Sequence, residues 1–223
     1  MTTRPVPVKL AVFDCDGTLI DSQASICDAM DRAFAEHGLP QPERNDVRRA
    51  VGLSLPQAIR TLLPEIETQA QLALVDSYKR AFRAAREAGE LQQPLFPGMA
   101  ELLDALRADG WLLGVATGMS LRGLTHCLAT HGLTGHFTTL QTADDHPSKP
   151  HPAMLEAALL EAGAEPGNAV MIGDTVFDIH MAQGAGVRAI GVDWGYHAPQ
   201  ELIAAGAACV VASPAELEEV LKR

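Results

Sequence analysis

Short, almost uninterrupted apolar runs recur along this chain and are separated by stretches long enough for amphipathic helices. Five of these runs are rich in β-branched and aliphatic residues and read VKLAVFD, WLLGVAT, AVMIGD, RAIGVDW and ACVVA. A strand covered by helices on both faces carries apolar side chains on both sides, so each run predicts a buried strand. Strands that alternate with helices in this way favour an α/β fold with a doubly wound parallel sheet.

The stretches between the runs have helical periodicity. After Pro97 and Gly98, apolar side chains recur at helical spacing until Gly110, at Met99, Leu102, Leu103 and Leu106. Further helices are predicted around residues 121–131, 151–162, 175–185, 199–205 and 214–222. Ligands of doubly wound sheets bind beyond the carboxyl ends of the strands, so a functional site is expected at that edge.

One long segment interrupts the alternation. Between residues 22 and 94 no good strand pattern occurs, and the periodicity predicts helices instead. Because this segment begins directly after the first strand, it is expected to lie over the strand ends as a lid. The chain is therefore predicted to contain an α/β core domain, residues 1–21 and 95–223, and an inserted helical cap domain, residues 22–94.

Composition limits the partners that this chain is expected to have. Its 223 residues are 47% hydrophobic, enough to bury a core, and its net charge of −11 argues against binding to nucleic acid or an acidic membrane surface. The four cysteines form no CxxC pair and suit a reducing cytosol. No apolar stretch approaches membrane-spanning length, and the run before Asp14 is too short for a signal peptide. We expect a cytoplasmic protein with small-molecule partners; oligomeric state is not predicted.

Two aspartates, Asp14 and Asp16, end the first apolar run. Side chains alternate along a strand, so both carboxylates are able to face one way while Gly17 lets the backbone turn. Close carboxylates disfavour joint ionisation unless they bind a cation or share a proton. The other interpretation is a turn whose aspartates cap the next helix, and this pair alone leaves both open.

A second acidic cluster follows another apolar run, in the sequence IGDTVFD. Asp174 ends the run, and Asp178 lies one helical turn further on the same face if a helix begins there. A helix-capping arrangement also fits these two residues. However, carboxylates that share a sheet edge with Asp14 are costly without a cation, so the sequence predicts a hard divalent ion, most naturally Mg²⁺.

Two more predicted strand or loop ends carry polar residues. Thr117 follows a run in VATGMS, where Gly118 lets the backbone approach a ligand, and Lys149 lies in the loop SKPHP. Taken singly, Thr117 is interpreted as a helix cap and Lys149 as a solvated surface lysine. Taken together, these ends supply carboxylates, a hydroxyl, a cation and amide donors, the groups needed to bind a phosphoryl group.

These motifs, in this order, resemble those of the haloacid dehalogenase superfamily, in its phosphoglycolate-phosphatase-like group with a helical cap. The matching segments are DCDGTLIDS, ATG, SKPHP and GDTVFD, followed by GVDWGY and ASPAELEEVL. The resemblance covers nearly the whole chain and is weakest at residues 22–94. It implies a Mg²⁺-dependent phosphatase that hydrolyses a small-molecule phosphate monoester, with 2-phosphoglycolate as a candidate.

The resemblance also implies roles for individual residues. Asp14 would be the nucleophile that forms an aspartyl-phosphate, and Asp16 would be the general acid for the leaving oxygen and then the base for water. Thr117 and Lys149 would bind the transferring phosphoryl group, with Gly118 beside them.

The same resemblance implies a metal site. Asp14, the backbone carbonyl of Asp16 and Asp174 would hold Mg²⁺, and Asp178 would bind or orient the metal's ligands. In a simple count, three ionised carboxylates balance Mg²⁺ and Lys149, which makes the site tolerant of a phosphate dianion.

Substrate specificity is expected to come from the cap. The resemblance points to a loop at residues 49–54, with Arg49 and Ser54 as candidate substrate-binding residues and with Arg48 and Lys79 as further cations for a remote anion. Surface charges on helices are the alternative interpretation for each of these residues.

Two other functions remain open at this level. A β-phosphoglucomutase-like enzyme would use the same intermediate but pass the phosphoryl group to a sugar. A receiver-like signalling module also uses an aspartate, Mg²⁺, a hydroxyl and a lysine, although the inserted segment and Asp16 argue against it.

Overall fold

The computed structural model describes residues 7–222. Six parallel strands form one sheet in the spatial order three, two, one, four, five, six. In chain order they are β1 (Lys9–Phe13), β2 (Trp111–Thr117), β3 (Thr139–Thr142), β4 (Ala169–Gly173), β5 (Arg188–Val192) and β6 (Cys209–Val211).

Helices connect the strands and cover the sheet. They are α1 (Gln23–Glu36), α2 (Arg44–Ala50), α3 (Leu55–Leu62), α4 (Thr68–Glu87), α5 (Met99–Ala108), α6 (Leu121–Thr130), α7 (Ala153–Ala162), α8 (Val176–Gly184), α9 (Pro199–Ala204) and α10 (Pro214–Leu221). No described helix combines the length and the apolar character needed to cross a membrane.

The sheet has an apolar core on each face. Because side chains alternate along β1, Phe13 packs in a cluster with residues of α5, α6 and α10, whereas Leu10 and Val12 pack with residues of α7, α8 and α9. Helices therefore lie on both faces of a parallel sheet. The predicted doubly wound α/β fold is confirmed.

One strand was not predicted. β3 has the sequence TLQT and pairs with β2 at the edge of the sheet. It lacks the continuous apolar run that marks the other strands, because only Leu140 in it is aliphatic. The sequence predicted five strands, but the sheet has six, and the edge strand β3 is the one that was missed.

The helices α1 to α4 pack around an apolar cluster of their own. Phe34, Ile59 and Leu74 are buried at its centre. The chain segments that lead into and out of this helical region lie side by side, since the Asp21 amide donates to the Pro94 carbonyl at 2.8 Å. We propose that this region is the cap domain with the predicted limits, residues 22–94.

The central strands end together at one edge of the sheet. Phe13, the last residue of β1, is in register with Val115 of β2 and Ile172 of β4. The Asp14 amide continues this pairing and donates to the Ile172 carbonyl at 2.9 Å. The chain positions that follow β1, β2 and β4 therefore meet at this edge, where a ligand site is expected.

Candidate active site

Asp14 is a fully buried carboxylate with one engaged and one free oxygen. Its Oδ1 accepts a hydrogen bond from the Cys15 amide at 2.6 Å, and its Oδ2 is buried with no hydrogen-bond partner among the described residues. A buried polar atom without a partner is costly, which marks Oδ2 as the atom available to a ligand. Burial, reinforced by the charges of Asp178 and Asp174, raises the pKa of Asp14 well above its ordinary value despite nearby Lys149.

Lys149 is a buried cation between two carboxylates. Its Nζ lies 2.9 Å from Asp14 Oδ1 and 2.5 Å from Asp178 Oδ1. Burial by itself would lower the pKa of Lys149, but the negative charges of the two aspartates outweigh it, and the pKa lies above its ordinary value. The interpretation of Lys149 as a solvated surface lysine is therefore wrong.

Asp178 joins the lysine to the start of α8. Its Oδ2 accepts hydrogen bonds from the Thr175 amide at 3.1 Å and the Thr175 hydroxyl at 2.7 Å, as part of a capping box. The capping interpretation is confirmed for Asp178. It is compatible with a role in the site, because the other oxygen contacts Lys149.

Asp174 is held by groups from two other loops. Its Oδ1 accepts from the Thr18 hydroxyl at 2.8 Å, and its Oδ2 accepts from the Tyr196 amide at 2.9 Å. A Cβ on Gly17 would lie 2.3 Å from Asp174 Oδ2, so this loop reaches the carboxylate only because residue 17 is glycine. Burial, with the charge of Asp178, raises the pKa of Asp174 from 3.8 to about 7.

The three buried aspartates fit a hard divalent cation. One oxygen from each of Asp14, Asp174 and Asp178 lies within 4.8 Å of the other two. These ligands are carboxylate oxygens, the type of ligand that Mg²⁺ prefers. Three carboxylates with one lysine leave an excess of two negative charges, which a divalent ion would balance.

Asp16 has a different environment. It is half-buried and lines a cavity, and its Oδ1 accepts a hydrogen bond from the Ser22 hydroxyl at 2.5 Å. Burial raises its pKa above the ordinary value, although the Ser22 hydrogen bond and the charge of Lys149 act in the opposite direction. A carboxyl group of raised pKa beside an open cavity is suited to proton transfer.

The end of β2 supplies a hydroxyl and a close contact with the cap. Thr117 is buried, and its Oγ1 accepts from the Met119 amide at 3.2 Å. It does not cap α6, since the Ser120 hydroxyl does so by accepting from the Gly123 amide. A Cβ on Gly118 would lie 2.3 Å from the Leu53 carbonyl oxygen, so the cap loop rests directly on this residue.

A cavity of about 350 Å³ lies between the inserted helices and the strand ends. Apolar side chains make up most of its wall, including Ile26, Met30, Val47, Val51, Leu55 and Phe82. Its polar lining comprises Asp16, Tyr78, Lys79, Arg83, Arg86, Ser120 and Arg122. Lys79 thus lies where a cation was predicted, whereas Arg83, Arg86 and Arg122 were missed.

The structure does not place Arg49 and Ser54 on this cavity. The Arg49 guanidinium forms a bidentate ion pair with Glu201 of α9, at 2.7 and 3.2 Å, and the Ser54 amide donates to Ser148 Oγ at 2.8 Å. Neither is among the described residues that line the cavity. Both contacts hold the predicted specificity loop against the core, and the substrate-binding roles of Arg49 and Ser54 stay predictions.

Comparison with known proteins agrees with this arrangement. The family model described as haloacid dehalogenase-like hydrolase matches residues 11–192, which is most of the chain. The chain belongs to this family. The superfamily resemblance inferred from the ordered motifs is therefore confirmed, and this haloacid dehalogenase-like hydrolase has the fold predicted for it.

Individual relatives of this haloacid dehalogenase-like hydrolase carry phosphatase names. It is 36% identical over 201 residues to the probable phosphatase IndB of Dickeya dadantii, covering 88% of this chain and 86% of the relative. It is 31% identical over 198 residues to a phosphoglycolate phosphatase of Agrobacterium fabrum, covering 88% and 84%. A hydrolase structure from Pseudomonas syringae is 26% identical and superposes with a TM-score of 0.85 over 96% of this chain and 98% of that one. The predicted enzyme class, a phosphatase of this family, is confirmed.

Proposed function

We propose that this enzyme is a Mg²⁺-dependent phosphatase that cleaves a small-molecule phosphate monoester through an aspartyl-phosphate on Asp14. The observation that carries the proposal is the pair of oxygens of Asp14. One is neutralised by the buried Lys149, and the other is buried without a described partner. Such a carboxylate is oriented and partly neutralised for attack on an anionic group.

The metal would be held by Asp14, Asp174 and Asp178, together with the backbone carbonyl of Asp16. When bound, Mg²⁺ supplies positive charge that offsets repulsion between the carboxylates and the phosphate. A carboxylate about 4 Å from a unit of phosphate charge meets about 4 kcal/mol of repulsion at an effective dielectric near 20. The charge of Lys149, 2.9 Å from Asp14 Oδ1, acts against the same repulsion.

The proposed reaction has two displacement steps. In the first, Asp14 Oδ2 attacks phosphorus, the ester P–O bond breaks, and the leaving oxygen takes a proton from Asp16. In the second, Asp16 removes a proton from water, the water oxygen attacks phosphorus, and inorganic phosphate leaves as the Asp14 carboxylate is restored. Burial raises the pKa of Asp16, which favours the protonated form that the leaving oxygen needs and makes the carboxylate a stronger base toward water.

The remaining groups position the phosphate. Thr117 and the backbone at Gly118 lie at the end of β2, beside β1 and therefore beside Asp14. We assign them to binding the transferring phosphoryl group, together with Lys149. Among substrates, 2-phosphoglycolate is the first to test, since several relatives are named phosphoglycolate phosphatase.

A phosphate-release assay of Asp14→Asn tests the proposal. With Mg²⁺ and a panel of phosphorylated acids, sugars and nucleotides, we expect the variant to lose activity by at least about a thousandfold. The matched control is Asp193→Asn, since Asp193 is exposed at the end of β5 and outside the acidic cluster. A chelator should abolish wild-type activity.

Two results would contradict the proposal. Undiminished hydrolysis by Asp14→Asn would exclude this nucleophile, and full activity in the chelator would exclude the metal. Release of inorganic phosphate in stoichiometric amounts is also required, because transfer to a sugar would leave less free phosphate than ester consumed.

A further inference from the structure

Four cations line the cavity without a carboxylate partner among residues 7–222. The described ion pairs of lysine and arginine involve Lys9, Arg32, Arg44, Arg49, Arg80, Arg107, Lys149 and Lys222. None of the four cavity cations, Lys79, Arg83, Arg86 and Arg122, forms an ion pair among the described residues. Lys79, Arg83 and Arg122 are exposed and Arg86 is half-buried, so water is able to solvate most of these charges. Their grouping at one cavity, in a chain with a net charge of −11, favours an anionic ligand there.

Three of the cavity cations lie on one face of α4. Lys79, Arg83 and Arg86 are separated by four and three residues, so their side chains are neighbours along the helix. Like charges at this spacing destabilise an isolated helix. Arg80, by contrast, is on the same helix but forms an ion pair with Glu36 at 2.5 Å and does not line the cavity. On α4, therefore, Arg80 forms an ion pair and does not line the cavity, whereas Lys79, Arg83 and Arg86 line the cavity and form no ion pair among the described residues.

One of these guanidinium groups has a buried donor without an acceptor. Arg86 Nε is buried and has no hydrogen-bond partner among the described residues. An unsatisfied donor costs free energy unless a ligand or water supplies an acceptor. This observation is independent of the charge pattern, and an oxygen acceptor from a ligand or from water would satisfy the donor.

The cavity is also larger and more apolar than a two-carbon substrate requires. Its volume of about 350 Å³ lies in the range of about 300–1,000 Å³ that holds drug-sized ligands. The rings of Tyr78 and Phe82 stack with centroids 5.8 Å apart and an interplanar angle of 24°. Together with Ile26, Met30 and Val51 they form an apolar wall, which favours contact with an apolar body.

The cavity connects this wall to the reaction centre through Asp16. Asp16 lines the same cavity, and in the proposed function it gives its proton to the leaving oxygen. The part of the substrate that leaves with that oxygen therefore occupies the cavity. Its body would contact the apolar wall, and its far end would reach the cavity cations.

We infer that the preferred substrate is a phosphate monoester whose leaving group has a ring or branched apolar body and a second anionic group remote from the ester. The second anion, a carboxylate or another phosphoryl group, binds to Lys79, Arg83, Arg86 and Arg122. This inference rests on the proposed phosphatase function and deepens it. It favours a larger phosphorylated acid over 2-phosphoglycolate, whose two carbons leave most of the cavity unfilled.

Matched aryl esters test the second anion. We would measure kcat/KM for para-carboxyphenyl phosphate and para-carbamoylphenyl phosphate, which differ in charge but hardly in shape, and for para-phosphonophenyl phosphate. The wild-type enzyme should prefer the carboxylate to the amide by about tenfold, mainly through KM. Comparison with the phosphonate shows which anion binds better. All three should exceed 2-phosphoglycolate.

Charge-removing variants locate the anion site. The double variant Arg83→Gln/Arg86→Gln should reduce the preference for carboxylate over amide to about twofold or less. The control Arg80→Gln makes the same change on the same helix and should keep the wild-type preference. Melting temperatures of all variants show whether each is folded under assay conditions.

The outcomes separate the inference from the proposed function. Asp14-dependent hydrolysis with equal kcat/KM for carboxylate and amide would overturn the inference and leave the phosphatase function intact. A preference that survives in Arg83→Gln/Arg86→Gln would overturn the assigned site. If no ester is hydrolysed, or if hydrolysis does not depend on Asp14, the proposed function fails and the inference with it.

Discussion

Replacing Lys149 by methionine should destabilise the fold strongly. Lys149→Met nearly preserves side-chain length and removes a charge that lies 2.9 Å from Asp14 Oδ1 and 2.5 Å from Asp178 Oδ1, with all three groups buried. At an effective dielectric near 20, each such pair attracts by about 6 kcal/mol, and the cost of burying the charges cancels part of this. Breaking a buried pair typically costs about 3–5 kcal/mol of stability, and we expect a loss in that range near neutral pH.

The loss should depend on pH in a defined direction. Without Lys149, the charge that opposes the rise in the pKa of Asp14 is gone, so this pKa should increase further. A carboxyl group whose pKa is raised in the folded state stabilises the fold at low pH and loses that contribution as pH rises. The deficit of Lys149→Met relative to wild type should therefore be larger at about pH 8 than at about pH 5.

Urea unfolding of the metal-free protein at both pH values measures this effect. The control is Lys222→Met, which removes an exposed ion pair with Glu218 and is expected to shift the unfolding midpoint little. If Lys149→Met and Lys222→Met have the same small effect at both pH values, the charge of Lys149 does not stabilise the buried aspartates. The electrostatic account of the site would then be wrong.

The remaining predictions concern the metal, the cap contact and the acid. Because the pKa of Asp174 is raised to about 7, this group favours folding at low pH and loses that contribution as pH rises. The carboxylate is ionised, and so able to bind a cation, more fully at about pH 8 than at about pH 5. Added Mg²⁺ should therefore raise the melting temperature more at about pH 8, and an equal rise at both pH values would contradict this. Gly118→Ala puts a Cβ 2.3 Å from the Leu53 carbonyl oxygen, so it should cost about 1–3 kcal/mol by thermal unfolding and lower kcat/KM. Gly167→Ala is the control without a clash, because a Cβ there meets no atom within 4 Å and the backbone φ is not positive; an equal loss in both variants would contradict this. Asp16→Asn should slow the hydrolysis of alkyl phosphates by at least about a hundredfold. It should slow the hydrolysis of para-nitrophenyl phosphate far less, because this good leaving group needs little protonation. Equal slowing of both substrates would argue against an acid role for Asp16.

Much of the fold and the central cluster could be predicted from sequence because both depend on regular patterns. Continuous apolar runs indicated the buried strands, and parallel strands end at one edge of a sheet. From these patterns the sequence predicts that Asp14, Asp174 and Asp178 lie close together, and the structure brings one carboxylate oxygen of each within 4.8 Å of the other two. It missed β3, whose Gln141 bonds to Thr139 Oγ1 and to Glu161 and interrupts the apolar pattern.

Features that depend on distant partners could not be predicted. Arg49 is exposed, and its guanidinium donates hydrogen bonds to Glu201, a partner 152 residues later in the chain that the sequence around residue 49 does not reveal. Likewise, the sequence around Lys149 does not show that its ammonium group is buried. A lysine is rarely buried without partners, and its partners come from other strand ends.

The cavity cations were missed for a related reason. Lys79, Arg83 and Arg86 share a helix face with Tyr78 and Phe82 nearby, a spacing that is visible in the sequence. Whether that face meets solvent or a cavity depends on how α4 packs against α1 and above the sheet. Helical spacing therefore shows which residues share a helix face but not which surface that face lines.

The most direct test of the central claim is to trap the phosphorylated enzyme. Wild-type protein mixed with an unlabelled phosphate ester and Mg²⁺ would be quenched in acid within the first turnover and reduced with tritiated borohydride. This step converts an aspartyl-phosphate to tritium-labelled homoserine and releases the phosphate, and the label is then mapped by peptide analysis. We predict label on Asp14, and none in the presence of a chelator or in Asp14→Asn. Label on another residue, or Mg²⁺-dependent hydrolysis that never labels Asp14, would contradict the account.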